Sequence, residues 1–381
     1  MIFPPRYPDY TELQPAHWRR WWIALPVILF LAALATMLLW PEGKPTRTVS
    51  FWFWSVICPL IIWTVAVALR WLVWLQSVSN RDTHREAISA SVRAWWRQRS
   101  RLLPVEAVML VTPMGDESSE HEALLSLPLP VAPEQSDDAS GNALLRCPMV
   151  LGLGGQENRA VMLSRHLARQ VLTRLRSTNE ARPVQVFCWL GDEQSLSAFS
   201  LVLESDGIRL PEDVLRLHTV ADFDLVIDTM PEDEQALLLC AGFGDADSAA
   251  EYTASEAGFA WLCGHRAEAL MTRSEILQPA ESETPQQLTE QLGRYARLRS
   301  APERVLAADS AAMDTLLPSG WSALDNVLMP YLGNAGAVTP FVMQSLAALS
   351  ALKGLSCGWT ATFMESQFIT GVCVPRGNLP H

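Results

Sequence analysis

Basic charge is scarce in this chain of 381 residues, where 29 Lys and Arg stand against 41 Asp and Glu for a net charge of −12. A nucleic-acid-binding surface needs a basic face, so we expect no nucleic-acid partner. The chain also lacks a Cys-x-x-Cys pair, and its cysteines are odd in number and mostly lie in apolar stretches: Cys58, Cys147, Cys188, Cys240, Cys263, Cys357 and Cys373. The pattern predicts buried, reduced thiols, and we expect neither a metal nor a cofactor.

Long apolar runs are absent after residue 75, but two of them stand before it. Residues 21–40 and 51–69 carry no charge over 20 and 19 positions, and nine of the 15 tryptophans lie between Trp18 and Trp74. About 20 apolar residues span a bilayer as a helix, and tryptophan marks its interfaces. A signal peptide does not fit the first run, because no cleavage site of small residues is evident and a second run follows. We therefore predict an N-terminal segment over 1–20 and transmembrane helices over 21–40 and 51–75.

The distribution of arginine and lysine predicts the orientation of these helices. Three arginines precede the first helix, only Lys44 and Arg47 lie in the connecting loop, and six arginines follow the second helix: Arg81, Arg85, Arg93, Arg97, Arg99 and Arg101. Positive charge favours the cytoplasmic side. We predict a two-pass protein of the bacterial inner membrane with both termini in the cytoplasm.

The basic stretch over residues 76–103 predicts a juxtamembrane helix that leaves the membrane. Two interpretations stay open for it. The helix either touches anionic lipid, or it presents a solvated charged face and packs Trp95 and Trp96 on the soluble domain.

Residues 104–381 alternate short apolar runs with helical patterns. The runs predict strands over 105–113, 147–155, 183–191, 234–244, 257–263 and 370–377, and the helical patterns predict helices over 158–177 and 339–354. Such alternation is typical of a layered α/β domain. An acidic, proline-containing stretch over 115–141 is long for a connection within a compact domain and predicts an exposed excursion.

Two local patterns suggest chemistry. Residues 152–158 read GLGGQEN after a predicted strand, but Glu157 stands where a dinucleotide-binding turn needs its third glycine, so a tight turn is favoured. His218 and Asp222 are four residues apart, which suits either an acid–base pair or a solvated turn.

Four segments together resemble thiolase-like condensing enzymes over residues 234–381. QALLLCAGFGDAD resembles the strand and glycine turn after the nucleophile helix, and SEAGFAWLCG resembles the strand paired with it. YLGNAGAVTPFVMQSLAALSALKG resembles the characteristic loop and helix, with Asn334 at the polar position that assists decarboxylation. CGWTATFMESQFITGVCVPRG resembles the closing hairpin. The resemblance implies an α/β/α fold.

The match breaks at the nucleophile. Condensing enzymes of this family use a cysteine thiolate at a helix N-terminus, where the dipole favours the anion. The corresponding stretch, residues 216–233, has no cysteine, and Asp222 or Asp224 stands where the thiol is expected. We therefore expect a domain without catalysis, with Asn334, His218 and Asp222 as residual catalytic candidates, and Thr339 and Pro340 as the N-cap and first residue of the next helix.

The combination of two spans and such a domain resembles membrane-anchored thiolase-like accessory proteins of bacterial type VI secretion systems. The resemblance implies an adaptor or chaperone that binds a secreted effector, such as a phospholipase, and the secretion spike proteins. Membrane lipid and a second copy of the chain are further expected partners. Residues 115–141 and 222–233 are the candidate partner surfaces. An acyl- or lipid-modifying enzyme and an immunity protein that binds a toxic effector are the alternatives.

Overall fold

The computed structural model describes residues 2–10, 14–15, 17–41, 44–137, 143–150, 156–177, 182–244, 253–278, 283–323, 326–364 and 367–378. The chain divides into two compact units. One unit runs from Pro4 to Trp96 and is called the N-terminal unit. The other runs from Arg97 onward, includes residues 2–3, and is called the body.

The N-terminal unit is helical. Its elements are α1 Trp18–Leu39, α2 Val49–Trp52, a π-helical turn Phe53–Ile57 and α3 Cys58–Arg99, of which the last three residues belong to the body. Two helices, Trp18–Leu39 and the combined Val49–Arg99, are long and apolar enough to cross a membrane. The sequence has neither glycine nor proline between Pro59 and Arg99, so nothing interrupts the helix. The predicted juxtamembrane helix is thus the second half of α3 and not a separate element.

The body is built on one mixed sheet. Its strands are β1 Leu103–Val111, β4 Val184–Leu190, β5 Val214–Leu217, β6 Leu237–Gly244, β8 Ala257–Cys263, β9 Ala269–Met271, β10 Glu275–Leu277, β11 Arg304–Ala307, β12 Cys357–Met364 and β13 Gln367–Pro375. A small second sheet consists of β2 Ser136–Asp137, β3 Ala143–Leu145 and β7 Ala254–Ser255. The order in the large sheet is β11-β12-β13-β9-β1-β8-β6-β4-β5, with β10 on β13.

Parallel and antiparallel pairs occur at different places in this sheet. β4 is parallel to both β5 and β6, and β11 is parallel to β12. β6 and β8 pair antiparallel, and so do β12 and β13. The predicted pairing of 257–263 beside 234–244 and the predicted closing hairpin are therefore confirmed.

Helices cover both faces of the sheet. The helices of the body are α4 Ser118–Ala123, α5 Gln156–Ser177, α6 Glu193–Ser205, α7 Phe223–Asp228, α8 Pro285–Tyr295, α9 Ser310–Leu316, α10 Met329–Leu332 and α11 Thr339–Leu352. One core cluster joins α7 and α11 to the sheet, and a second joins α5 and α6 to it. Adjacent residues such as Cys188 and Trp189 belong to different clusters, because successive side chains of a strand point to opposite faces. The predicted α/β/α layering is present.

Two sequence-based expectations for the body need correction. The strand predicted over 147–155 is absent from residues 147–150, which form loop and turn, and residues 151–155 lie outside the described chain. The glycine turn considered at 152–158 falls largely on those same residues. The excursion over 115–141 is not wholly exposed, because α4 lies within it and Leu124 and Leu125 are buried. Leu127 and Val131, by contrast, are 63% and 91% exposed.

His121 anchors this excursion and predicts a pH dependence of stability. Its side chain is 2% exposed, and Nε2 lies 3.1 Å from Thr112 Oγ1. Burial lowers the pKa of His121 to about 4, against the opposing charge of Asp116. An unfolded histidine titrates near 6.5, so between pH 6.5 and 4 the unfolded chain binds the extra proton. The contribution of neutral His121 to the free energy of unfolding should therefore be fully present above pH 6.5. It should fall by roughly 3 kcal/mol as the pH drops to 4.

This dependence is measured as the melting temperature of the full chain from pH 7 to pH 4.5. His121→Asn should flatten the curve in that window, since asparagine does not titrate. The comparison variant is His166→Asn, which replaces a partly exposed histidine that contacts Asp116 at 2.6 Å. Identical pH profiles for wild type and His121→Asn contradict the assignment.

Candidate functional site

A cavity of about 420 Å³ lies where three parallel strands end. β4, β5 and β6 run in the same direction, and ligands of open α/β sheets bind outside the carboxyl ends of such strands. The cavity is lined by Leu190, Gly191, Leu217, His218, Phe243, Gly244, Ala335, Gly336, Ala337 and Val338.

Close backbone contacts shape this cavity at two glycines. A Cβ on Gly244 would lie 2.5 Å from the carbonyl oxygen of Ala335, so only glycine allows β6 and the loop before α11 to approach this closely. Gly191 has φ +135°, and a Cβ there would lie 2.6 Å from the carbonyl oxygen of Phe243. The loop over 333–338 is thereby held against the end of β6, and the end of β4 against β6.

Asn334 sits in this loop, and its side-chain oxygen is engaged within the protein. Oδ1 accepts hydrogen bonds from the Gly336 amide at 3.0 Å and from the Thr339 hydroxyl at 3.2 Å. Its backbone amide donates to the carbonyl of Thr253, and its carbonyl accepts from the amide of Ser255. The residues lining the cavity include the four that follow Asn334, but not Asn334 itself. Asn334 therefore forms a turn that links the loop to β7.

Thr339 has a different position from the one predicted. The N-cap of α11 is Val338, and Thr339 already belongs to the first helical turn. The helix starts one residue earlier because a 3-10 turn over Gly336–Val338 leads into it. The Thr339 hydroxyl accepts a hydrogen bond from the Ala335 amide at 2.8 Å and so still stabilises the turn.

His218 and Asp222 lie close together, but they do not form an acid–base pair. Asp222 Oδ2 accepts from the backbone amides of His218 at 2.8 Å and Thr219 at 3.0 Å. The Thr219 hydroxyl accepts from the Ala221 amide at 3.2 Å, which completes a capping box. The contact between the two residues is therefore that of a turn. The imidazole of His218 is exposed at the rim of the cavity.

Asp224, the other carboxylate at the expected nucleophile position, belongs to a cluster of ion pairs. It pairs with Arg99 and, at 3.1 Å, with Arg273, which also binds Asp228. Arg99 further donates to Glu275 at 2.5 Å. Sequence reasoning missed this cluster, because Arg99 and Glu275 are 176 residues apart and carry no local pattern.

The cysteines do not line the cavity. Six of the seven are buried in the body, and all seven are free thiols. Burial raises the pKa of Cys357 to about 12 and holds the pKa values of Cys147, Cys240, Cys263 and Cys373 well above the ordinary range. A thiolate is the nucleophilic form, so these thiols have the properties of small apolar core side chains.

Within the described residues, no three His, Cys, Asp or Glu side chains are grouped so that they could hold a metal ion.

Comparison with known proteins identifies the fold. No family model and no curated protein matches the chain. Among solved structures, the ishigamide ketosynthase/chain length factor has a TM-score of 0.52 at 10% identity, over 72% of this chain and 99% of that one. A 3-oxoacyl-(acyl carrier protein) synthase III from Xanthomonas oryzae has a TM-score of 0.43 at 11% identity, over 72% of this chain and 99% of that one. The first likeness shows that the chain has the mixed α/β, thiolase-like fold of condensing enzymes. At this identity it shows the fold alone.

Proposed function

We propose that the body is a non-catalytic, thiolase-like domain that binds a partner protein and that the N-terminal unit anchors it in the bacterial inner membrane. One observation supports the absence of catalysis above all others: the cavity at the strand ends has no thiol, and both carboxylates near the expected nucleophile position are engaged. Asp222 caps a turn through two backbone amides, and Asp224 is paired with two arginines. These contacts support the proposal that neither carboxylate acts as an acyl nucleophile.

Thiol labelling tests this part of the proposal. We expect that, of the six body cysteines, none reacts with Ellman's reagent at pH 8 in the native full chain, because their side chains are buried. All six should react after denaturation. The experiment is carried out in the Cys58→Ser variant, so that the thiol of the N-terminal unit does not contribute to the signal. Rapid stoichiometric labelling of one body cysteine in the native state would reveal a reactive nucleophile and overturn the assignment.

Membrane anchoring is supported by the two helices that are long and apolar enough to span. The arginine distribution supports cytoplasmic termini. If the second span ends at residue 75, Arg93 lies about 27 Å farther along the same helix, since each residue adds 1.5 Å. That distance exceeds the Debye length of ~8–10 Å at physiological salt, beyond which the attraction between two charges is largely screened. For Arg93 the solvated-face interpretation is therefore favoured over contact with lipid.

A reporter that is active only in the periplasm checks the topology. Fused after His381, it should be silent, whereas the same reporter inserted after Lys44 should be active. Activity at the C-terminal fusion contradicts the cytoplasmic location of the body.

For the partner, we propose a secreted effector such as a type VI secretion phospholipase, held by this protein as an adaptor or chaperone. The surface features that suit a partner are the exposed Leu127 and Val131 within the excursion and the exposed Glu232 and Asp233 within 222–233. Deleting the gene should abolish secretion of the effector. Self-poisoning with secretion intact would instead indicate an immunity protein.

The enzyme alternative is tested at Asn334. Asn334→Asp keeps an oxygen that accepts from Gly336 and Thr339 but removes the amide group that could donate to a reacting acyl group. We expect effector secretion to be unchanged in this variant. Loss of secretion in Asn334→Asp with normal protein levels would favour an acyl- or lipid-modifying enzyme.

A further inference from the structure

Three arginines line an open cavity of about 610 Å³ at the end of α8, away from the site described above. Arg294, Arg297 and Arg299 contribute three positive charges to its lining, and Glu290 contributes the one negative charge. The hydroxyl-bearing residues Thr289, Ser300 and Ser319 and the indole of Trp321 also belong to the lining.

The backbone at Arg297 makes this cluster more than a run of surface charge. Arg297 has φ +53° and is the one non-glycine residue with a positive φ in the part of the chain that the structure describes. The amide of Leu298 donates to the carbonyl of Gly293 at 2.8 Å, and the amide of Arg297 donates to that of Arg294 at 3.3 Å. These two bonds form a Schellman motif, whose left-handed residue is usually glycine.

An arginine at that position lowers stability, because a Cβ is unfavourable in the left-handed region. Strained residues of this kind cluster at functional sites. The strained backbone at Arg297 is therefore an indication that its side chain has a role beyond folding. Among the described residues, neither Arg297 nor Arg299 forms an ion pair, and both are exposed.

The chemistry of the lining indicates the ligand. Guanidinium groups match phosphate oxygens through paired N–H donors, and serine hydroxyls add neutral donors. The cavity volume falls within the ~300–1,000 Å³ range of small-ligand sites. We infer that Arg294, Arg297 and Arg299 form a binding site for a phosphate-bearing ligand, either a soluble phosphate compound or a lipid headgroup.

Calorimetry with inorganic pyrophosphate tests the site on the full chain in dodecyl maltoside, a detergent without phosphate. We expect saturable binding that weakens as the salt concentration rises. Arg299→Ala should weaken it about tenfold, as expected for the loss of a charged hydrogen-bonding group. Adding phosphatidylglycerol to the micelles distinguishes the two sources. If the site takes a lipid headgroup, the lipid should compete and pyrophosphate binding should be lost; if it takes a soluble phosphate compound, pyrophosphate binding should remain.

Arg297→Gly separates binding from folding. Glycine relieves the left-handed backbone, so the melting temperature should be unchanged or higher, while pyrophosphate affinity should fall about tenfold. Arg209→Gly, at an exposed arginine outside the cavity lining, is the matched control and should bind as wild type does. Absence of saturable binding to the wild type in dodecyl maltoside, or wild-type affinity in the Arg297→Gly, Arg299→Ala double variant, overturns the inference.

Discussion

Replacing Glu275 by alanine is expected to lower the free energy of unfolding of the body by about 3–5 kcal/mol, the usual cost of removing one partner of a buried ion pair. The Glu275 side chain is 2% exposed and pairs with Arg99, whose side chain is 9% exposed. Its carboxylate also accepts from the Ile2 amide at 3.0 Å, Gln291 at 3.1 Å and Tyr295 at 2.8 Å. Glu275→Ala leaves these donors without their acceptor. It also leaves the charge of Arg99 in the interior with Asp224 as its remaining partner.

The measurement is a thermal melt of the full chain followed by near-ultraviolet circular dichroism. A loss of this size corresponds to a decrease of the order of 10 °C for a domain of more than 150 residues. Glu275→Gln should lie between wild type and Glu275→Ala, because it keeps an acceptor and loses the charge. Glu204→Ala, which removes an exposed carboxylate on α6, should melt close to wild type. A decrease in Glu275→Ala no larger than that of Glu204→Ala contradicts the prediction.

Phe341→Ala is expected to cost about 3–5 kcal/mol through a cavity left in the core. Phe341 is fully buried near the start of α11 and stacks on Phe259, with ring centroids 4.8 Å apart. The ring of Trp261 lies 5.7 Å away on the same strand as Phe259. The three rings fasten α11 to β8, and the cost is large because every residue from Pro340 to Ala351 is buried and the helix has little room to shift.

Phe341→Leu is the matched control and should cost less than about 1.5 kcal/mol, since it keeps most of the apolar volume. Chemical denaturation of the two variants, compared at equal detergent concentration, measures the difference. The Asn334 turn and the cavity at the strand ends adjoin the start of α11, so Phe341→Ala should also increase hydrogen exchange of the Gly336 amide. Equal stability of the alanine and leucine variants is the contradicting outcome.

The apolar strands and the buried helix were predictable because their patterns are local. β6, β8 and β13 follow continuous apolar runs, and α11 combines an apolar run with a proline near its start and a glycine after its end. The burial of the cysteines follows from the same property, since each body cysteine but Cys147 lies within an apolar strand.

The roles of polar residues were harder to predict because they depend on geometry. His218 and Asp222 have the spacing of an interacting pair, but the contact is made by the backbone amide. A signal for this existed, since Thr219 and Asp222 have the spacing of a capping box. For α8, a rule based on glycine places the helix end at Gly293, whereas the left-handed residue is Arg297.

The sequence by itself determined two apolar helices, a layered α/β body and the absence of a cysteine between residues 216 and 233, because each depends on composition or short-range periodicity. The tertiary structure alone decided which polar groups meet. It placed Asn334 against Thr253 and Ser255 and joined Arg99 to Asp224 and Glu275. These contacts link segments far apart in the chain, and hydrogen bonds and ion pairs act over a few ångströms, so only the folded arrangement of the strands and helices can set them.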